Sequence, residues 1–443
     1  MKTALFISFF PMCFLASGQF NPQQLIDPDV YVSKIVPADL DNDGFSDIII
    51  SRKEFNNSKV SFYLNSGTGS FGPENILTTS VNLPEAIAAG DLDGDNWIDV
   101  VACSYNPNKL LWFPNSGGSF PSEILLDSGL IFPENVEIVD IDNDGNLDIV
   151  VLDHSHILVY YNNGNSTFNK ETTPNDQFEY YAFSIADLNG DGFKDIIIGS
   201  GDVLVYMNDN GSFVAQDIAR SNSIVNQGLC FLVHTADLDG NGSMDLVIDG
   251  NSNSEISWYA NDGNGFFTFM QTIENTAQCQ SVATADFNND GSLDLFASLY
   301  QEGEVVWYAN KGQGNFGSKQ LVSTGNMAST IATASSDLDN NGNTDVIWAH
   351  PFSFNLNGSL GLESYLNSKA ALRVSPNPFK EQLLIHTQER SSLSIFDIQG
   401  RYLYKNIPIE AGSQTFSHAL PPQLYFFEFT TASQVIVKKI VKE

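Results

Sequence analysis

The chain has few basic residues: 20 Lys and Arg stand against 53 Asp and Glu, a formal charge of −33 over 443 residues. That balance repels nucleic acid and anionic membrane surfaces, so neither is an expected partner. Cysteine is also scarce, with four in all. Cys13 lies in an N-terminal apolar run, and Cys103, Cys230 and Cys279 are too few for a disulfide framework. Cys230 and Cys279 hold matching places in neighbouring repeats, so a bridge between them and a pair of buried thiols both stay open. After the N-terminus no stretch approaches the roughly 20 apolar residues of a membrane helix, and no transmembrane segment is expected. Helical periodicity is missing, as are a nucleophile elbow, an HExxH pair and a phosphate loop. The six histidines show no metal-ligand spacing beyond His154-x-His156. With 42% apolar and 12% aromatic residues, disorder is excluded.

What is present begins with a secretory signal over residues 1–18: Lys2, the run ALFISFFPMCFLA and the small-residue exit Ala16-Ser17-Gly18. One nine-residue acidic pattern then returns seven times, at 39–47, 91–99, 140–148, 187–195, 237–245, 286–294 and 337–345. A period near 50 is the mark of a propeller or solenoid. Each acidic loop has an alternating stretch before it and a β-branched run such as IIIS or VVAC after it. An aromatic strand with a Gly/Asn turn follows, as in SFYLNSGTGSF or ISWYANDGNGFF. Four short strands per unit predict an all-β, seven-bladed β-propeller over residues 19–368. In the seventh repeat the aromatic strand is read at LESYLN (362–367) and the last strand is missing. FNPQQLI (20–26) supplies it, so an N-terminal strand is expected to close the ring.

The loops suit a hard cation. Calcium takes six to eight oxygens at about 2.3–2.6 Å, which requires several carboxylates on a tight turn. Position 1 is Asp39, Asp91, Asp140, Asp187, Asp237, Asp286 and Asp337. Position 3 is Asp41, Asp93, Asp142, Asn189, Asp239, Asn288 and Asp339, and position 5 is Asp43, Asp95, Asp144, Asp191, Asn241, Asp290 and Asn341. Position 9 is Asp47, Asp99, Asp148, Asp195, Asp245, Asp294 and Asp345. Position 7 varies (Phe45, Trp97, Asn146, Phe193, Ser243, Ser292, Asn343), as it would if only its carbonyl bound metal. Position 6 is Gly in six loops and Asn96 in the second, fitting a positive φ. EF-hands begin alike but need Glu at position 12, where this chain has apolar strand residues. Four Asp in each of the first three loops and three in each of the rest make 24 of the 53 acids. Up to seven Ca²⁺ are expected, filling the first three loops most tightly and taking the charge to about −19.

These loops and the intervening N-x-G-x-G-x-F strands resemble FG-GAP/VCBS repeats, found also in the integrin α-subunit propeller. The resemblance covers roughly residues 20–368. It implies calcium in hairpins on one face and adhesion or ligand binding on the other. The integrin ligand machinery is not implied, because that needs a partner subunit. Residues 373–443 resemble a type A C-terminal sorting domain of the type IX secretion system: RVSPNPFKEQLLI, LSIFDIQGRYLYK, ALPPQLYFFEF and a basic tail with Lys438, Lys439 and Lys442. Gln423 stands where that pattern usually has Gly. The alternating strands, with turns at Asn377-Pro378, Gln399-Gly400 and Pro421-Pro422, predict a small β-sandwich over 369–443. The resemblance implies export to the surface or medium of a Bacteroidota-type bacterium through the type IX-like machinery.

A monomeric, non-enzymatic binding or adhesion module is expected, with an extracellular glycan or protein as ligand. The loops after each second strand diverge between repeats, so Tyr105, His154, Tyr300 and His350 are candidate contacts. Two alternatives are a polysaccharide lyase or hydrolase on the same scaffold and a structural surface protein without a discrete ligand. Hydrolysis would need two carboxylates about 5–9.5 Å apart across a cleft, and most acids here belong to the loops.

Overall fold

In the computed structural model the chain forms two compact units, residues 1–357 and 358–443. Described residues are 20–357 less 22, 28–30, 55–56, 68, 155, 174–179, 201–202, 217–229, 251–254, 276–277, 300–301, 325–331 and 350, and 372–442 less 376–382, 388–389, 398–400, 411, 417–419, 422 and 431–434. The signal segment therefore lies outside the described residues. Every regular element among the described residues is a strand.

The first unit holds seven four-stranded antiparallel sheets, here called blades one to seven after their acidic loops. Their innermost strands are Val32–Ala38, Pro84–Gly90, Pro133–Val139, Ala182–Ala186, Cys230–Ala236, Cys279–Ala285 and Thr333–Ser336. Each lies beside the next, and the seventh lies beside the first, so the ring closes. Each acidic loop joins the first strand of its blade to the second, and the second strand begins at position 9 of the loop.

Second strands such as Asp47–Arg52 and Asp148–Asp153 are buried along their length, and that of blade two is buried except at its last residue, Tyr105. A strand covered on both faces reads as a continuous apolar run, which accounts for IIIS and IVVL. Ile48 and Ile50 pack toward blade seven, and Ile49 packs toward blade two. Seven apolar clusters result, one between each pair of neighbouring blades.

Blade seven is built from both ends of its unit. Gln24–Asp27 pairs antiparallel with Phe352–Asn355, as the missing-strand argument required. Gln23 Nε2 donates to Ser353 Oγ at 2.8 Å, and Phe20 packs edge-on to Phe287 and Trp307 at centroid distances of 5.8 and 6.0 Å. The aromatic third strand of this blade is Phe352–Asn355 and not 362–367, which lie outside the described residues. Only residues 349–351 separate it from the second strand, Asp345–Trp348.

Cys103, Cys230 and Cys279 are buried free thiols. Cys230 Sγ donates to the Leu232 carbonyl and Cys279 Sγ to that of Ser281, so no bridge joins them.

The second unit has a three-stranded sheet (Leu372–Ser375, Leu383–Thr387, Gly412–Phe416) and a four-stranded one (Tyr402–Ile409, Ser391–Asp397, Gln423–Thr430, Val435–Lys442). Ile385 and Phe416 of the first share one core with Leu393, Tyr425 and Phe427 of the second. The strand that starts at Gln423 forms without the usual Gly, and Tyr425 Oη donates to the Pro421 carbonyl at 2.6 Å.

Candidate metal centres

All seven loops share one hydrogen-bond scheme. The position 1 carboxylate accepts from the N–H of position 6 at 2.8–3.0 Å. The position 5 side chain accepts from the N–H of position 7 at 2.7–3.0 Å. Positions 4 and 6 both take positive φ, for example Asn42 at 55° and Gly44 at 88°. Sequence reading explained position 6 but passed over position 4, which is Asn or Gly in every loop for the same steric reason.

The position 9 aspartates are wholly buried. One oxygen accepts from the N–H of position 2 at 2.8–3.1 Å. The other accepts from the N–H of an asparagine after the third strand: Asn65, Asn115, Asn162, Asn208, Asn261, Asn310 or Asn357. Sequence analysis saw this residue only as the N of N-x-G and assigned it no role. Its Nδ2 donates to the position 8 carbonyl of its own blade, for example Asn162 to Leu147 at 2.9 Å. The same Nδ2 reaches the position 2 carbonyl of the preceding blade at 2.6–2.8 Å, all the way round.

Carboxylates converge within this frame. Asp39, Asp41 and Asp43 bring one oxygen each within 4.8 Å of one another. Positions 1, 3 and 9 do the same in loops two (Asp91, Asp93, Asp99), three (Asp140, Asp142, Asp148), five (Asp237, Asp239, Asp245) and seven (Asp337, Asp339, Asp345). Loops four and six have Asn189 and Asn288 at position 3, so their three carboxylates stand at positions 1, 5 and 9. Burial raises Asp47, Asp99, Asp148, Asp245 and Asp294 to about 6, and Asp345 to about 8. Burial and then neighbouring Asp charges raise Asp41, Asp93 and Asp142. Asp41 Oδ1 and Asp339 Oδ1 are buried without a hydrogen-bond partner. Unpartnered, desolvated carboxylate oxygens are costly, and a hard cation relieves that cost. The donor set therefore fits a metal ion.

Six overlapping segments, 39–102, 91–151, 140–198, 187–248, 237–297 and 286–348, match the FG-GAP-like repeat. The chain belongs to the FG-GAP-like repeat family. Residues 373–443 match the secretion system C-terminal sorting domain, the type IX signal, so this FG-GAP protein is secreted or displayed at the cell surface. Among solved structures it is similar to an Agrocybe aegerita lectin described as recognising non-reducing terminal N-acetylglucosamine (21% identity, 74% of this chain and 87% of that one, TM-score 0.51). It is also similar to BBS1N from a complex with ARL6DN (11%, 77% and 99%, 0.55) and to the Myceliophthora thermophila Cps50 (Swd1) β-propeller domain (8%, 74% and 97%, 0.50). At these identities the likeness is one of fold. No curated protein gave a significant match.

At the end of the ring opposite the acidic loops, Tyr105 is 38% exposed and stacks on Phe132 with centroids 4.8 Å apart. His154 meets the edge of Phe132 at 5.8 Å. Tyr300 and His350 lie outside the described residues.

Proposed function

We propose that this FG-GAP protein is a calcium-stiffened, monomeric adhesion module that binds an extracellular glycan or protein without chemically altering it. The pre-formed carboxylate clusters carry the calcium reading: their backbone scaffold is complete, and a cation is what their crowded oxygens call for. Calcium selects the folded loops over the unfolded chain and so adds stability through mass action, about 2.7 kcal/mol per site at a hundredfold excess over Kd. Ligand contact falls to the other end of the ring, where the loops are free of metal duty and carry Tyr105 and His154. One similar solved structure is a lectin described as recognising non-reducing terminal N-acetylglucosamine, which supports a glycan as ligand. The sorting domain supports export by a Bacteroidota-type bacterium.

Thermal unfolding of the secreted chain in calcium and then in EGTA tests the reading. Chelation is expected to lower Tm by ten degrees or more on the order of several bound ions. An unchanged Tm would remove calcium from the account.

A further inference from the structure

The seven innermost strands enclose a cavity of about 790 Å³, within the range of small-ligand sites. Tyr105, Tyr181 and Phe231 line it, as do Glu137, Ser184 and His234. The last three each stand three residues before the first Asp of their loop, so they occupy one level on blades three, four and five. Val36, Ala88, Ala283 and Ala334 fill that level on the other four blades. Four of the seven blades thus need no polar side chain at this level; where one occurs, Ser184 Oγ pairs with Thr235 Oγ1 at 2.8 Å and His234 Nε2 with Thr284 Oγ1 at 2.9 Å, while Glu137 feels the charge of Lys34. Burial lifts Glu137 to about 7 and drops His234 to about 4.

The aromatic groups lie on the same side of the ring, on blades two to five. Tyr105 is backed by Phe132, and Tyr181 is packed against Phe231 with centroids 4.7 Å apart. Phe132 holds φ at 55°, a region that disfavours bulky side chains. Leu83, at the matching place before blade two, holds φ at 54°, so this turn recurs in the repeat and here serves to present Phe132 beside Tyr105.

Lys34 and Lys53 of blade one, Gln280 of blade six and Thr333 of blade seven also line the cavity, so its aromatic arc faces a polar one. We propose that this cavity receives the end of a neutral glycan chain, a proposal that rests on the adhesion reading above. The closed ring of strands bars entry from the side, so a polymer enters end-on. A pyranose presents C–H faces, which suit Tyr105, Tyr181 and Phe231, and hydroxyl edges, which suit Glu137, Ser184 and His234. The −33 charge of the chain opposes polyanionic glycans.

The test is an array of neutral oligosaccharides, acidic oligosaccharides and extracellular proteins, probed with the full secreted chain in calcium. Tyr105→Ala, Phe231→Ala and His234→Ala are compared with Leu125→Ala, an exposed outer-strand control, after each is shown to keep the wild-type Tm. Neutral oligosaccharides are expected to bind, with affinity cut about tenfold or more by each cavity variant and unchanged by the control. A cyclic oligosaccharide of the same sugars, having no chain end, is expected not to compete. Neutral-glycan binding that survives all three cavity variants, or competition by the cyclic sugar, overturns the cavity assignment and leaves the adhesion reading standing. Binding confined to acidic glycans or to proteins overturns the glycan chemistry alone. Wild-type protein that binds nothing on the array overturns both.

Discussion

Asn65 Nδ2 donates at 2.8 Å to the carbonyl of Leu338, 273 residues away in sequence. It is one of seven identical links, and it joins blade one to blade seven. Each link runs from a buried Asp through an Asn backbone N–H and side chain to the preceding loop. The belt therefore passes beside every acidic loop.

Asn162 offers the cleanest probe of this belt. Asn162→Ala leaves the buried carbonyl of Leu92 and the partly buried one of Leu147 without their side-chain donor. At about 1–3 kcal/mol per unsatisfied buried group, a loss of roughly 2–5 kcal/mol is expected in denaturant unfolding. Substituting the exposed Asn165 is expected to cost within about 0.5 kcal/mol. Equal effects at the two positions would dismiss the belt.

The closing strand gives a second prediction. Phe20→Ala removes edge contacts to Phe287, Phe296 and Trp307, and a loss of about 1–3 kcal/mol is expected. Hydrogen exchange should rise chiefly in 352–355, the strand it helps to cover. Unchanged protection there would mean that the N-terminal segment does not close the blade.

A pH effect is expected at Asp249. It is wholly buried, its Oδ1 has no partner, and burial raises it to about 7. With the folded pKa above the ordinary 3.8, the folded state binds the proton more tightly than the unfolded chain. The penalty of this charge is thus absent well below pH 4, grows between pH 4 and 7, and is complete above 7. Asp249→Asn is expected to raise Tm by a few degrees at pH 8 and to lose most of that advantage near pH 4.5. A gain that stays constant with pH would contradict this assignment.

The thiols make a simple count. Burial raises Cys103, Cys230 and Cys279 well above the ordinary thiol range. The signal-free chain is expected to react with no Ellman's reagent when folded and at three thiols in guanidinium. One thiol in guanidinium would indicate a Cys230–Cys279 bridge.

The fold was legible because its strongest signals are local. A loop such as 39–47 carries its turn residues and its carboxylates within nine positions, and Ile48–Ile50 declare a strand buried on both faces. Even the closing strand could be inferred, from a missing element at one end and a surplus at the other. The third strand of blade seven was misplaced because the spacing of the other repeats was applied to it, whereas it begins at Phe352, four positions after the second strand ends at Trp348. The asparagine belt escaped notice because its partners lie one blade away: an Asn before a Gly looks like an ordinary turn residue. Glu137, Ser184 and His234 were invisible as a group for a similar reason. They sit in three different repeats, and only the ring brings them to one level.

The split construction of blade seven also fixes an order of events. Residues 24–27 pair with 352–355, so whichever end of the chain emerges first must wait, unpaired, for nearly the whole propeller to follow. Contacts at such separation form late. The last strand to dock turns an open arc of blades into a sealed ring, so for an exported protein the ring records that the propeller segment has arrived intact.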